Sequence, residues 1–396
     1  MSGTAVPDLS ELDARFARLG EEYERRRTAA HDAVARWEWY SWHAFDPRPL
    51  HYERNLDRPG HRLDERPGPT VHHHRIGFDA AGRPVVIEQY SPFVGGKLYY
   101  ETFRDHGDGQ RVEEAHYSGG RPIHLHEYRY AGDRITSAWM VAIAGAGHEE
   151  YHYTGDRVTR IVVHHVEKRG KPGRRTLPVR LRQTIDAAYD DHGLVRLESV
   201  RHGERPGDDR AFIIYERPPE DFSVEAACAT VEDELVARIP EAVAGLAAEE
   251  PAYCVAIAYF GGEPGDVLVY VGLESVRQEW LPRELDEGPW YGWYPADISE
   301  EGVSPDLSAV ADTVRLLGQE LKLANSDDVQ AGDARFRELL CSVARRLNAA
   351  DWSGVLRTTD DFIVYACDME LEHFDVTMPA SVPEDRLLVL ARKGLL

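Results

Sequence analysis

The 396-residue chain carries 46 Lys and Arg against 69 Asp and Glu, a formal charge of −23, with 42% hydrophobic residues, enough to fill two or three cores. That charge excludes nucleic acid as a direct ligand, because neutralising phosphates requires a basic face. No run approaches the roughly 18 to 20 apolar residues that span a bilayer, and the opening residues lack a basic segment followed by an apolar one, so a cytoplasmic chain with no membrane partner is expected.

The first predicted element is a helix. Leu9, Leu12, Phe16, Leu19 and Tyr23 recur at three and four, behind Asp8 as N-cap with Glu11 three residues on. The pattern runs into Trp37, Trp39, Tyr40 and Trp42, which a helical segment 1–46 would use to dock on a sheet. Prolines at 47, 49, 59, 67 and 69 then predict an extended connector.

Between His72 and Tyr215 the period changes to short alternating runs rich in Val, Ile, Tyr and Thr, cut by glycine turns. This predicts an antiparallel β-meander over 47–217. Three stretches are versions of one unit: Tyr117 through Arg121, Tyr130 through Arg134 and Tyr153 through Arg157. In each, an aromatic closes the incoming strand, a Gly-containing pair turns, and an arginine opens the return strand. Looser copies lie at Phe78 to Arg83 and Tyr189 to Leu194. These five places resemble the tyrosine-aspartate repeats of bacterial Rhs-type and wall-associated proteins. Many such repeats build a large shell in that family, so five imply a small curved or partly wrapped sheet.

Arg217-Pro218-Pro219 breaks the last strand, and the composition changes with it. Residues 1–217 hold 33 Lys and Arg against 34 Asp and Glu, residues 218–396 hold 13 against 35, and 17 of 18 histidines precede the join. Such asymmetry marks separate units with separate surfaces. Beyond it, Ser223 caps a predicted helix through Ile239, and apolar runs at 252–260 and 267–271 predict buried strands. Helices are predicted over 306–323, 334–349 and 383–393, with a third strand at 361–367. The fold class is therefore α+β: a helix and a meander, then a separate acidic α+β domain over 218–396 with a small sheet. Its segments Tyr253 to Tyr259, Trp290 to Asp297, Asp361 to Asp368 and Val382 to Asp385 resemble an uncharacterised bacterial α+β domain family. Comparable small acidic domains serve as immunity proteins in toxin systems, so the resemblance implies binding.

Candidate chemistry is sparse. His148-Glu149-Glu150-Tyr151-His152 matches H-E-x-x-H, but it coincides with a repeat and so falls on a strand. There the two histidines stand roughly 13 Å apart and cannot share one zinc ion. His124 and His126 point the same way on a strand and are the alternative ligands for a divalent metal; the acidic partner that cupins place after H-x-H is Arg129 or Tyr130 here. The run Trp280, Trp290, Tyr291, Trp293 and Tyr294, with Glu287 and Asp297 beside it, reads either as a binding hot spot or as a lid folded on its own core. Asp360-Asp361 reads as solvated surface, and Cys228, Cys254, Cys341 and Cys367 as reduced thiols.

These observations favour a non-enzymatic binding or accessory protein whose acidic domain engages a basic protein surface, as an immunity-type factor would, without a cofactor. The alternative is a metal- or small-ligand-binding enzyme using a histidine-lined groove of the meander.

Overall fold

A strand that ends in Tyr and turns on glycine needs a left-handed residue at the turn, and Gly119 and Gly120 supply it with φ of 53° and 77°. All five repeat sites turn hairpins in this way in the computed structural model, which describes residues 9–167, 180–203, 207–246, 250–260, 265–280, 292–299, 301–327 and 331–396. The fold is α+β, and the chain separates into two units, Met1–Arg217 and Pro218–Leu396. The basic run Lys168 to Arg175 lies outside the described residues.

The first unit contains α1 (Ser10–Asp32), β1 (Arg36–Tyr40), α2 (His51–Asn55), β2 (Arg62–Leu63), β3 (His73–Phe78), β4 (Pro84–Ser91), β5 (Lys97–Asp105), β6 (Arg111–Ser118), β7 (Arg121–Ala131), β8 (Arg134–Ala142), β9 (Gly145–Thr154), β10 (Arg157–Glu167), β11 (Arg180–Asp190), β12 (Gly193–His202) and β13 (Arg210–Glu216). All thirteen strands form one antiparallel sheet that runs in chain order from β13 to β3 and ends in β1 and β2. Trp37 and Trp39 therefore lie on a strand, and the helical segment expected over 1–46 stops at Asp32. The alternation of Arg36-Trp37-Glu38-Trp39-Tyr40 suits a pleated edge, and β1 pairs with β3 through it.

The repeats also explain how neighbouring hairpins hold together. The Tyr153 hydroxyl donates to the Ile135 carbonyl at 2.8 Å, and the Tyr189 hydroxyl donates to the Val158 carbonyl at 2.9 Å. Each acceptor lies one residue past the arginine that opens the preceding hairpin's return strand. Those arginines, Arg134 and Arg157, lie 5.7 and 5.2 Å over the same tyrosine rings.

Each face of this sheet is covered in part. On one, Leu12 and Leu19 of α1 pack on Phe103, Ala115, Tyr117, Leu125 and Val141. Burying each such leucine contributes about 2 kcal/mol. On the other, the segment Ser41–His61 crosses the strands, with Ala44 and Phe45 against Ile76, Phe78 and Ile87 and with Leu50 against the cluster around Tyr128 and Ile135.

The second unit contains α3 (Val224–Ala244), β14 (Ala252–Tyr259), β15 (Val267–Leu273), α4 (Glu274–Trp280), α5 (Pro295–Ile298), α6 (Ala311–Asp327), α7 (Ala331–Asn348), β16 (Thr358–Asp368), α8 (Phe374–Ser381) and α9 (Glu384–Arg392). The sheet order is β15-β14-β16, with β14 and β16 parallel. Every residue of β14 is buried, because α3, α6 and α7 cover one face and Trp293, Phe374, Met378 and Leu390 cover the other. Helices α4, α5 and α8 escape a periodicity reading because they span seven, four and eight residues. Asp361, expected at the surface, is buried and held by Arg277 and Lys393 at 3.0 and 2.9 Å. The four cysteines are free thiols. Among the described residues, no helix is long and apolar enough to cross a membrane.

Candidate functional site

Period-two alternation sends Thr102 and Arg104 of β5, Glu114 and His116 of β6, and His124 and His126 of β7 to the face opposite α1. The register then lines them up in two rows across three strands. Thr102 pairs with His116 and His116 with His124; Arg104 pairs with Glu114 and Glu114 with His126. These rows form the floor of a cavity of about 450 Å³, with His43, Asp46, Arg48 and His51 on the side of the crossing segment and His74 of β3 at one end.

The crossing segment reaches this position through specific local bonds. Gly60 donates its backbone N–H to the His43 carbonyl at 3.0 Å. A side chain at Gly60 would put a Cβ 2.2 Å from the Trp42 carbonyl, so only glycine permits this approach. Tyr52 donates its hydroxyl to the same His43 carbonyl at 3.2 Å, and Arg104 donates to the Phe45 carbonyl at 2.9 Å. Helix α2, which carries His51, is bracketed by Leu50 and Leu56 at φ 56° and 50°. Non-glycine residues in that region cost about 1 to 2 kcal/mol each, strain that persists only where the surrounding packing enforces it.

The floor is a closed network of charges. Arg104 donates Nε to Glu114 Oε2 at 2.6 Å, while Glu114 Oε1 lies 2.8 Å from His116 Nε2 and accepts the Tyr128 hydroxyl at 3.3 Å. Thr102 Oγ1 lies 2.9 Å from His116 Nδ1. Both nitrogens of His116 are thus engaged. Burial opposes the charge on Glu114, but Arg104 and His116 hold its carboxyl well below the usual range.

Five imidazoles of the cavity, those of His43, His51, His74, His124 and His126, carry free base at neutral pH. Burial lowers His43 and His124, takes His51 down to about 4, and takes His74 and His126 down to about 3. His74 is 4% exposed, and its Nδ1 is buried with no hydrogen-bond partner among the described residues. Asp46 is a carboxylate there: burial pushes it up, but its paired bonds to Arg48 at 2.8 and 2.6 Å outweigh this and hold it at about 2.

The donor atoms of His43, Asp46 and His51 lie within 4.8 Å of one another. Two neutral imidazoles and a carboxylate are a donor set for a first-row divalent ion. The charge around them favours a cation, since Asp46, Asp57 and Glu114 outnumber Arg48 and Arg104.

His124 and His126 therefore share the cavity with three residues that periodicity did not single out, His43, Asp46 and His51. The one sequence signal for these is the H-x-x-D-x-x-x-x-H spacing, with Pro47 and Pro49 inside it. The H-E-x-x-H segment lies on β9, where Glu149 pairs with Arg54 on the cavity side while His148 stacks on Trp139 on the other face. In the second unit, Trp293 is 3% exposed, packs between Tyr253 and Tyr365, and donates Nε1 to the Leu395 carbonyl at 2.9 Å. It is a core residue and not an exposed anchor. Trp280 is half-buried at the end of α4, and Tyr294 and Asp297 lie at the start of α5. Glu287, Trp290 and Tyr291 lie outside the described residues.

Set against known proteins, the chain matches no family model and no curated protein.

Proposed function

We propose that the first unit binds a divalent transition-metal ion in the histidine cavity, with His43, Asp46 and His51 as ligands and the remaining volume open to a small polar ligand. The observation that carries this reading is the convergence of three donor atoms within 4.8 Å at a cavity whose imidazoles are held neutral by burial. A transition metal needs the unprotonated imidazole lone pair, and here no proton has to be displaced at neutral pH. The Asp46 carboxylate has lone pairs beyond those taken by Arg48, so it can serve both. Two histidines and one carboxylate leave coordination positions free, the arrangement that metal-dependent catalysts use to admit a substrate. Elemental analysis of the purified full-length chain tests the reading. Stoichiometric zinc, iron or manganese lost in His43→Ala/His51→Ala supports it; equal metal content in that folded variant rejects it.

A second reading concerns the acidic unit, in which Asp375 and Glu384 rim an apolar groove lined by Met378, Leu387 and Leu388. Together with the surplus of 35 acidic over 13 basic residues, this supports engagement of a basic, amphipathic protein segment. Association of the full chain with a cationic amphipathic peptide, weakening as salt rises, is the result this reading requires.

A further inference from the structure

The face of the sheet under α1 carries a second convergence of donors, on the other side of the strands from the cavity. Glu88 of β4 and Glu101 of β5 are directly opposite each other in register. They are 5% and 4% exposed. Like charges directly opposite across strands destabilise a sheet, and each of these carboxylates has one arginine beside it, Arg27 for Glu101 and Arg75 for Glu88. Tyr23 and Arg27 of α1 reach Glu101 at 2.5 and 3.2 Å, and the Tyr90 hydroxyl donates to Glu88 at 2.9 Å. Arg75 stands off from Glu88 at 3.5 Å.

His31, in the last turn of α1, completes the group. Its ring packs against Trp37 and Phe103, with centroids at 5.5 and 6.3 Å. Its Nε2 is buried and has no hydrogen-bond partner among the described residues. Leaving a buried nitrogen unpaired costs stability, because the water it gave up is not replaced. The donor atoms of His31, Glu88 and Glu101 lie within 4.8 Å of one another.

We propose that His31, Glu88 and Glu101 form a second divalent-cation site that staples α1 to the sheet. An ion held there satisfies the unpaired imidazole nitrogen and bridges the two opposed carboxylates. One imidazole and two carboxylates suit a borderline ion such as Zn²⁺. The site is structural, since Tyr23, Trp37 and Phe103 close around it.

The test uses the full chain with Zn²⁺ alone, buffered by a chelator, and counts bound ions in the wild type, in His31→Ala, in His43→Ala/His51→Ala and in the triple variant. Two ions in the wild type, one in each partial variant and none in the triple are expected. Zinc should also slow amide exchange along α1 in the wild type and leave it unchanged in His31→Ala. The proposal is overturned if His31→Ala binds as many ions as the wild type, or if folded His43→Ala/His51→Ala binds none. Should His31→Ala fail to fold, Glu101→Gln, which keeps the shape and removes the charge, must show the same loss of one ion. Failure of the cavity reading is distinguishable: there His43→Ala/His51→Ala leaves the count unchanged while His31→Ala still lowers it.

Discussion

His51 Nε2 lies 3.5 Å from Asp46 Oδ2, the same oxygen that accepts Arg48 Nη2 at 2.6 Å. A metal ion bound as proposed would share this carboxylate with the arginine. His51→Ala should weaken metal binding by at least about 100-fold, the scale on which even supporting residues act at metal sites. Arg48→Met should do the opposite to affinity, by freeing the carboxylate, while costing roughly 3 kcal/mol because a buried charge loses its partner. Isothermal titration with Zn²⁺ and denaturant unfolding of both variants measure the two effects separately.

Acid should destabilise the first unit before carboxylates begin to titrate. Burial takes His74 and His126 down to about 3, against about 6.5 for an exposed histidine, so the unfolded chain takes up protons first as pH falls. Their neutral-state stability is fully present above the unfolded value and is lost as pH drops from about 6.5 toward 3, at about 1.4 kcal/mol per unit for each group. Unfolding midpoints measured at pH 7, 5.5 and 4.5 should fall steadily, and His126→Asn should flatten that dependence. An unchanged slope in this variant would remove His126 as a cause.

The tyrosine ladder makes a prediction about equivalence. Tyr153→Phe and Tyr189→Phe each delete a hydroxyl bonded to a carbonyl of the preceding hairpin. Each should cost about 1 kcal/mol, and the two should add, since the bonds share no partner. Thermal or urea melts of the two single variants and the double variant check both statements.

In the second unit, Asp361 accepts from Arg277, Lys393 and Thr359 at 3.0, 2.9 and 2.7 Å. Burial pushes its carboxyl up, and these three partners together hold it at about 2. Asp361→Asn should cost about 3 kcal/mol by taking from Arg277, which is 8% exposed, its charged partner on β16 and leaving it the one on its own helix, Glu274. Asp361→Leu/Arg277→Met should recover part of that loss, because neither member of this buried pair is then left facing an absent partner. A double variant less stable than Asp361→Asn would sink this account.

Much of the architecture was legible from residues alone. Ser223 as a cap, the apolar run Ala252 to Tyr259 and the five glycine turns all report local chemistry, and each element lies where its local signal places it. The tryptophans 37 and 39 misled because a helix-like pattern and a strand-like alternation overlap at their boundary. The aromatic stretch around Trp293 was ambiguous because composition cannot tell an anchor from a core residue; the hydrogen bond to Leu395, 102 residues away, decides it.

The cavity was only half visible. Histidine density and the His124-Leu125-His126 spacing pointed to a lined groove, but nothing local says that His116 stands between Thr102 and His124, or that Glu114 stands between Arg104 and His126. Sequence by itself determined the strand period, the turns and which side chains share a face, because these follow from backbone geometry within a few residues. Only the tertiary structure decided which rows meet and which loop covers them. Strand register and the crossing of Ser41–His61 are set by packing between residues distant in the chain, and the site's protonation states follow from that burial.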